Sequence, residues 1–195
     1  MGRIIAGRYR GQRVAAPASN ATRPTTDRVR ESVFGALISW LGRGSAAGDE
    51  ALHGVGFLDL YAGSGAVGLE AASRGADPVR LVERDAGVAA LAGRNAAALG
   101  APAAVSRASV AAFLLGPATP YDVVWLDPPY DLGGDDLAEV LDRVVERGWL
   151  AHDGVVLVER SSRTPPPQFP AVLADVWSRR YGETQIWFAT RGEVA

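Results

Sequence analysis

The segment Asp122-Val123-Val124-Trp125-Leu126-Asp127-Pro128-Pro129-Tyr130 is an apolar run that stops in a carboxylate, two prolines and an aromatic ring. The run predicts a strand over 121–126, and its exit joins three groups with a common use. Asp127 supplies an acceptor-only carboxylate. Pro128 supplies a carbonyl whose direction the Pro129 ring fixes, and Tyr130 a flat face beside both. These are the parts needed to hold the exocyclic amino group of a nucleobase while its nitrogen attacks an electrophile. Asp and Pro are also common where any strand exits into a loop, so the segment gains weight from its partner upstream.

That partner is Val55-Gly56-Phe57-Leu58-Asp59-Leu60-Tyr61-Ala62-Gly63-Ser64-Gly65-Ala66-Val67-Gly68. An apolar strand enters a turn of small residues, and an Ala-rich segment then reads as helix. Gly63 and Gly65 permit a tight turn and a close approach of backbone N–H groups to a ligand. With Gly68 they match the dinucleotide spacing Gly-x-Gly-x-x-Gly, a weak signal alone. Asp59, inside the strand, would repel a pyrophosphate but favour a cation. The next strand, 79–83, ends in Glu83, an acid able to accept two ribose hydroxyl hydrogens, followed by Arg84. Ribose without phosphate, joined to a positive centre, describes S-adenosylmethionine better than NAD. Tyr61 and Ser64 complete the candidate cofactor residues on this turn.

Four alternations of helix and strand surround these motifs: 67–74 with 79–83, 86–98 with 103–107, 109–115 with 121–126, and 135–147 with 154–159. The pattern predicts a doubly wound α/β sheet, mainly parallel, with ligands at the strands' carboxyl ends, where Asp59, Glu83 and Asp127 all fall. Alternating residues over 173–181 and 184–189 around Gly182-Glu183 predict a closing β-hairpin.

The chain has 195 residues, nearly half of them apolar, which suits one sizeable core. No apolar run approaches the ~20 residues of a membrane span and no secretory core region precedes it, so a soluble, cytoplasmic protein without membrane partners is expected. Cysteine is absent and the two histidines, His53 and His152, lie far apart in loops, so no metal site is expected. The net charge of −2 hides an asymmetry. All 20 basic residues are arginine, and residues 1–43 carry eight of them against two acids, a signature of polyanion binding on an otherwise acidic body. Residues 3–14 read as a short basic hairpin, with Ile4, Ile5 and Val14 packing and Arg8, Arg10 and Arg13 facing phosphates. Tyr9, between two arginines, is a candidate to stack on a base. Beyond a linker, Thr25 or Thr26 can cap a helix whose stripe is Val29, Val33, Phe34, Leu37, Ile38 and Leu41. Arg23, Arg28 and Arg30 lie at or before its start, within reach of RNA, and 42–54 reads as a loop. The expected division is therefore a basic arm plus helix over 1–43 and a catalytic domain over 44–195.

These residues resemble the bacterial small-subunit (16S) ribosomal RNA guanine-N2 methyltransferases. The likeness rests on Arg3-Ile4-Ile5-Ala6-Gly7 with Arg10-Gly11, and on Arg23-Pro24-Thr25-Thr26-Asp27-Arg28-Val29-Arg30-Glu31 followed by Phe34. The third element is the pair Asp59-Leu60-Tyr61-Ala62-Gly63-Ser64-Gly65 and Asp127-Pro128-Pro129-Tyr130. The resemblance implies a Rossmann-like class I methyltransferase with a seven-stranded sheet, acting as a monomer on one guanine of 16S rRNA in the small subunit. It implies S-adenosylmethionine as donor and S-adenosylhomocysteine as product. Asp127, Pro128, Pro129 and Tyr130 would be catalytic, with Arg3, Arg8, Tyr9, Arg10, Arg13, Arg23, Thr25, Arg28 and Arg30 on the RNA. Where many relatives carry an acid after the third strand, this chain has Arg107-Ala108-Ser109, leaving Ser109 and backbone to hold the adenine. Two other readings fit the same residues: a DNA adenine-N6 methyltransferase, and a non-catalytic RNA-binding or ribosome-assembly module.

Overall fold

A computed structural model describes residues 2–17 and 26–192. Its centre is a seven-stranded sheet of order β5-β4-β3-β6-β7-β9-β8. Here β3 is Phe57–Leu60, β4 Val79–Glu83, β5 Ala103–Arg107, β6 Tyr121–Leu126, β7 Leu150–Ser161, β8 Asp175–Tyr181 and β9 Thr184–Thr190. The first five of these run parallel, and β7, β9 and β8 pair antiparallel through the hairpin at Gly182-Glu183, as the alternation predicts. Strand β7 begins earlier than its apolar run because Leu150 pairs with Tyr121 before the register shifts. A second, two-stranded sheet joins β1 (Gly2–Arg3) to β2 (Arg13–Val14). Among the described residues, no helix is long and apolar enough to cross a membrane.

The period of two along each strand divides the core. Phe57, Leu81, Val123, Trp125, Val155 and Leu157 face α1 (Asp27–Trp40), α2 (Ala66–Ser73), α3 (Ala86–Leu99) and the small hairpin. Leu58, Leu60, Val124, Leu126, Val156 and Val158 face α4 (Val110–Leu114) and α5 (Gly134–Glu146). Helix α1 starts at Thr26, whose hydroxyl accepts from the Val29 N–H. It places Val33, Phe34 and Leu37 in the first core, each such side chain stabilising by roughly 1.5–3 kcal/mol. The segment 42–54 is not a free loop: Leu52 is fully buried, and its N–H donates to the Arg74 carbonyl (2.8 Å).

The arm docks on α2 through polar groups that the apolar pattern conceals. Glu70, fully buried, accepts from the N–H groups of Ile5 (2.7 Å) and Ala6 (3.0 Å) and pairs with Arg74 (2.8 Å) and Arg30 (3.7 Å). The Ser73 hydroxyl donates to Ala6 O and accepts from Tyr9 N–H. Gly7, at φ +80°, lies so close that a Cβ there would fall 1.9 Å from the Ser73 carbonyl oxygen. Glu70→Gln removes the charge that two buried guanidiniums face, and is expected to destabilise the chain by about 1–3 kcal/mol in denaturant unfolding. An unchanged midpoint would show that the arm's docking owes nothing to that charge.

Candidate active site

Strands β3 and β6 are neighbours in register, Asp59 opposite Trp125 and Leu60 opposite Leu126, so their carboxyl ends open side by side. Chain order reverses here, with β4 and β5 to one side and β6 and β7 to the other. This is the switch point at which open α/β sheets bind ligands. A cleft of about 1180 Å³ occupies it. Asp59, Tyr61, Gly63, Ser64, Glu83, Arg84, Ser109, Asp127 and Pro129 line the cleft, as do Gly2, Val14 and Arg28 from the amino-terminal region. A second cleft of about 430 Å³ lies on the other side of Asp127, lined by Pro128, Tyr130, Glu159, Arg160, Arg163 and Tyr181. Asp127 belongs to both, so it stands between two spaces each able to take part of a reacting pair.

Local backbone chemistry explains this arrangement. Tyr61 leaves β3 at φ +66°, a left-handed conformation that costs a non-glycine residue about 1 kcal/mol or more and turns the chain sharply over the strand end. Gly65, at φ +84°, then caps α2; a Cβ on it would approach Leu81 Cδ1 to 2.9 Å. Gly65 is buried beneath the turn and does not line the cleft, so its part is to shape the turn while Gly63 and Ser64 face the opening. The Glu83 carboxylate ties the turn to β4, accepting from Gly63 N–H (3.0 Å) and Asp85 N–H (2.8 Å). Further lone pairs on both oxygens stay available to hydroxyl groups. Ser109 caps α4 by accepting from Ala112 N–H (3.2 Å), and Ala108, Ser109, Val110 and Ala111 form that wall together.

The carboxyls at this edge are electrostatically unusual. Burial, aided by the Glu83 charge and opposed by a hydrogen bond from Gly68 N–H (2.9 Å), pushes Asp59 up to about 7. Asp127 is raised well above the usual carboxylate range, first by burial, then by the charges of Glu159 and Asp59; Arg160 works against the rise. Arg160 also donates to the Leu132 carbonyl (3.1 Å), fixing the loop after Tyr130. Burial raises Tyr61 to about 12. Tyr130 is 64 % exposed at the rim of the second cleft.

The amino-terminal residues divide. Arg3, Arg13 and Arg28 are exposed, and Arg28 lines the first cleft. Arg8 and Arg10 are exposed at the hairpin tip. That tip sits by Gly100, at the far end of α3 from Asp85, a helix of 14 residues and so about 21 Å long. Two expectations are corrected. Tyr9 is buried, its hydroxyl donating to Gly100 O (3.1 Å), because its ring completes the arm's packing; it has no free face for a base. Arg30 is also buried, donating to Arg3 O (2.5 Å) and pairing with Asp27 (2.9 Å) and Glu70, so it braces the arm rather than presenting itself to phosphate. Arg23 and Thr25 lie outside the described residues. The sequence reading missed Glu159 and Arg160, whose signal was a charged pair ending the apolar run Val155–Val158. It also missed Asn95, an isolated amide in an alanine-rich helix.

Comparison with known proteins adds to this geometry. The family model described as "Conserved hypothetical protein 95" matches residues 2–190. Ribosomal RNA small subunit methyltransferase D of Escherichia coli (strain K12) is 38 % identical over 170 residues, covering 87 % of this chain and 79 % of that protein. The structure of a putative methyltransferase, yhhF, from Escherichia coli superposes with a TM-score of 0.80 at 34 % identity, covering 97 % of each chain. A 16S rRNA N2 methyltransferase of Thermus thermophilus, solved with AdoMet and guanosine, shares the fold at TM-score 0.65 and 23 % identity, over 90 % of this chain and 45 % of that one.

Proposed function

Since the chain belongs to the Conserved hypothetical protein 95 family, we propose that it methylates 16S rRNA, transferring a methyl group from S-adenosylmethionine to the exocyclic N2 of one guanine. The observation that carries this reading is the position of Asp127 between the two clefts, one floored by Asp59 and walled by Glu83, the other bordered by Tyr130. The larger cleft fits the donor. Asp59 is a desolvated carboxyl that a cationic ligand would restore to its charged form, and Glu83 has acceptor capacity for a ribose diol. When bound, the donor supplies a methyl carbon made electrophilic by a sulfonium.

The chain's own groups prepare the nucleophile. The guanine N2 lone pair is delocalised into the ring, so the amino nitrogen attacks poorly until it becomes pyramidal. Asp127 and the Pro128 carbonyl accept its hydrogens and favour that geometry, with Pro129 holding the carbonyl's direction. Orienting two reactants can contribute up to roughly 7–11 kcal/mol, and acceptors matched to charge developing on nitrogen add to it. The nitrogen that accepts the methyl group would shed a proton, and Asp127 is the base that would receive it. Tyr130 stacks on the extruded base, offsetting a few kcal/mol of unstacking. Residues 1–43 serve RNA binding, through Arg3, Arg13 and Arg28 near the target and Arg8 and Arg10 on distant phosphates, with Arg23 and Thr25 contributing to the same RNA contact. Residues 44–195 bind the donor and carry out the transfer. The assembled or partly assembled small subunit is the preferred substrate.

The test is transfer of label from methyl-labelled S-adenosylmethionine to unmethylated small subunits, naked 16S RNA or duplex DNA. Label recovered from subunit RNA as N2-methylguanine is the expected result. Label in DNA would replace guanine N2 with adenine N6 as the target. Cofactor binding without transfer to any substrate would leave an RNA-binding module.

A further inference from the structure

Asn95 lies on the inner face of α3 at 6 % exposure, in a helix otherwise dominated by alanine. A buried primary amide there must find partners, and it finds them on two separate segments. Its Oδ1 accepts from the Ala15 N–H (3.1 Å), and its Nδ2 donates to the Ala15 carbonyl (2.9 Å), a two-point grip like one rung of a strand pairing. The same Nδ2 donates to the Ser64 carbonyl (2.9 Å) in the glycine turn. Both neighbourhoods border the large cleft: Val14, Ala16 and Pro17 from the arm, and Gly63, Ser64 and Ala66 from the turn. One side chain therefore fixes the residue that follows the arm's last strand and the turn relative to each other, at the wall they share.

We propose that Asn95 is a positioning residue that couples the arm to the cofactor turn. Through it the docked arm presets the turn for S-adenosylmethionine, and cofactor binding firms the arm's hold on RNA. The inference rests on the reading of the large cleft as the cofactor site. The physical reason is that a two-segment contact has two states. With Ala15 held, the amide is oriented and the Ser64 peptide is fixed before any ligand arrives; with Ala15 released, the amide is free to turn and the peptide loses its anchor. Interactions that order a loop in advance raise affinity by removing that ordering cost from binding. Linkage makes the effect reciprocal: the factor by which RNA tightens the cofactor equals the factor by which the cofactor tightens RNA.

A double-mutant cycle tests this without requiring the RNA target. Asn95→Ala removes the bridge. Ala15→Pro removes the N–H that donates to Asn95 and leaves the Ala15 carbonyl in place, at a position following the strand residue Val14, whose extended backbone tolerates a proline next. Calorimetry with S-adenosylmethionine on the full chain is expected to show each variant weakened about tenfold. The double variant should be no weaker than Asn95→Ala alone, because the two changes break one connection. Asn95→Asp keeps the acceptor and loses both donors; it takes the place of Asn95→Ala if that variant melts below the assay temperature, with the same loss expected. As a second readout, S-adenosylhomocysteine should tighten wild-type binding to unmethylated small subunits and leave that of Asn95→Ala unaltered. Additive losses in the double variant, or wild-type cofactor affinity in both single variants, would overturn the coupling alone. A wild-type chain that does not bind S-adenosylmethionine would overturn the cofactor reading, and this inference with it.

Discussion

Replacing Asp127 by alanine is expected to lower kcat for methyl transfer by about a thousandfold or more, with S-adenosylmethionine affinity changed only a few fold. The two effects separate because Asp127 borders both clefts but is proposed to act on the amino nitrogen. Losing it removes an interaction that strengthens as the nitrogen becomes pyramidal, and such losses appear in kcat. Asp127→Asn sharpens the test. The amide oxygen still accepts one hydrogen, but the charge and the proton acceptor are gone, so its rate should lie near that of alanine. The pH dependence follows from the direction in which this carboxyl is displaced. Burial, Glu159 and Asp59 raise it while Arg160 opposes them, so Asp127 ionises later than an ordinary aspartate as pH rises. Activity at saturating cofactor should therefore fall about tenfold per pH unit below its apparent pKa and level off above it. Because Asp59, Asp127 and Glu159 interact, that apparent value belongs to the cluster rather than to one residue. The Asp127→Asn variant should lose this acid limb. Near-normal turnover in Asp127→Ala with the cofactor bound would refute the mechanism.

What the sequence showed and what it hid have a common physical basis. The sheet was legible because each strand is an apolar run ending in a change of chemistry, and because helix and strand periods alternate without interruption. The candidate residues were legible for the same reason, since Asp59, Glu83 and Asp127 interrupt apolar strands at their carboxyl ends. Residues whose work is to hold the arm were not. Glu70, Ser73 and Asn95 lie in alanine-rich helices where a lone polar residue reads as a solvated position; only the fold shows that the arm covers them. Tyr9 and Arg30 were misread in the opposite sense. Charge and aromatic content in the arm pointed to nucleic acid, yet a short hairpin has too little apolar surface to dock on its own. It recruits the Tyr9 ring, while Arg30 braces it from α1. The same limitation applies to Leu52, which joins the first core while its N–H meets the carbonyl of Arg74, distant in sequence.

Asp59→Asn is expected to make the free protein more stable and the cofactor site worse. The wild-type carboxyl is pushed from 3.8 to about 7, chiefly by burial. A raised acid favours folding while protonated, so the free chain should be most stable below the unfolded pKa, lose stability as pH rises towards 7, and change little above it. The displacement corresponds to about 4 kcal/mol at most in the ionised range. Asparagine has nearly the same shape, still accepts from the Gly68 N–H, and carries no charge to desolvate. The variant should thus gain up to that amount above pH 7, seen as a melting temperature several degrees higher and a flatter pH profile. Cofactor affinity should move the other way. A cation binds the ionised carboxylate, so wild-type affinity should weaken progressively as pH falls below about 7. The variant should bind about ten- to a hundredfold more weakly above 7, with that pH dependence removed. The opposed signs distinguish a functional carboxylate from a structural one. Were Asp59 only a support for the Gly68 turn, asparagine would leave cofactor affinity intact, whereas a charge retained in the core for a cationic ligand should be paid for in the stability of the empty protein.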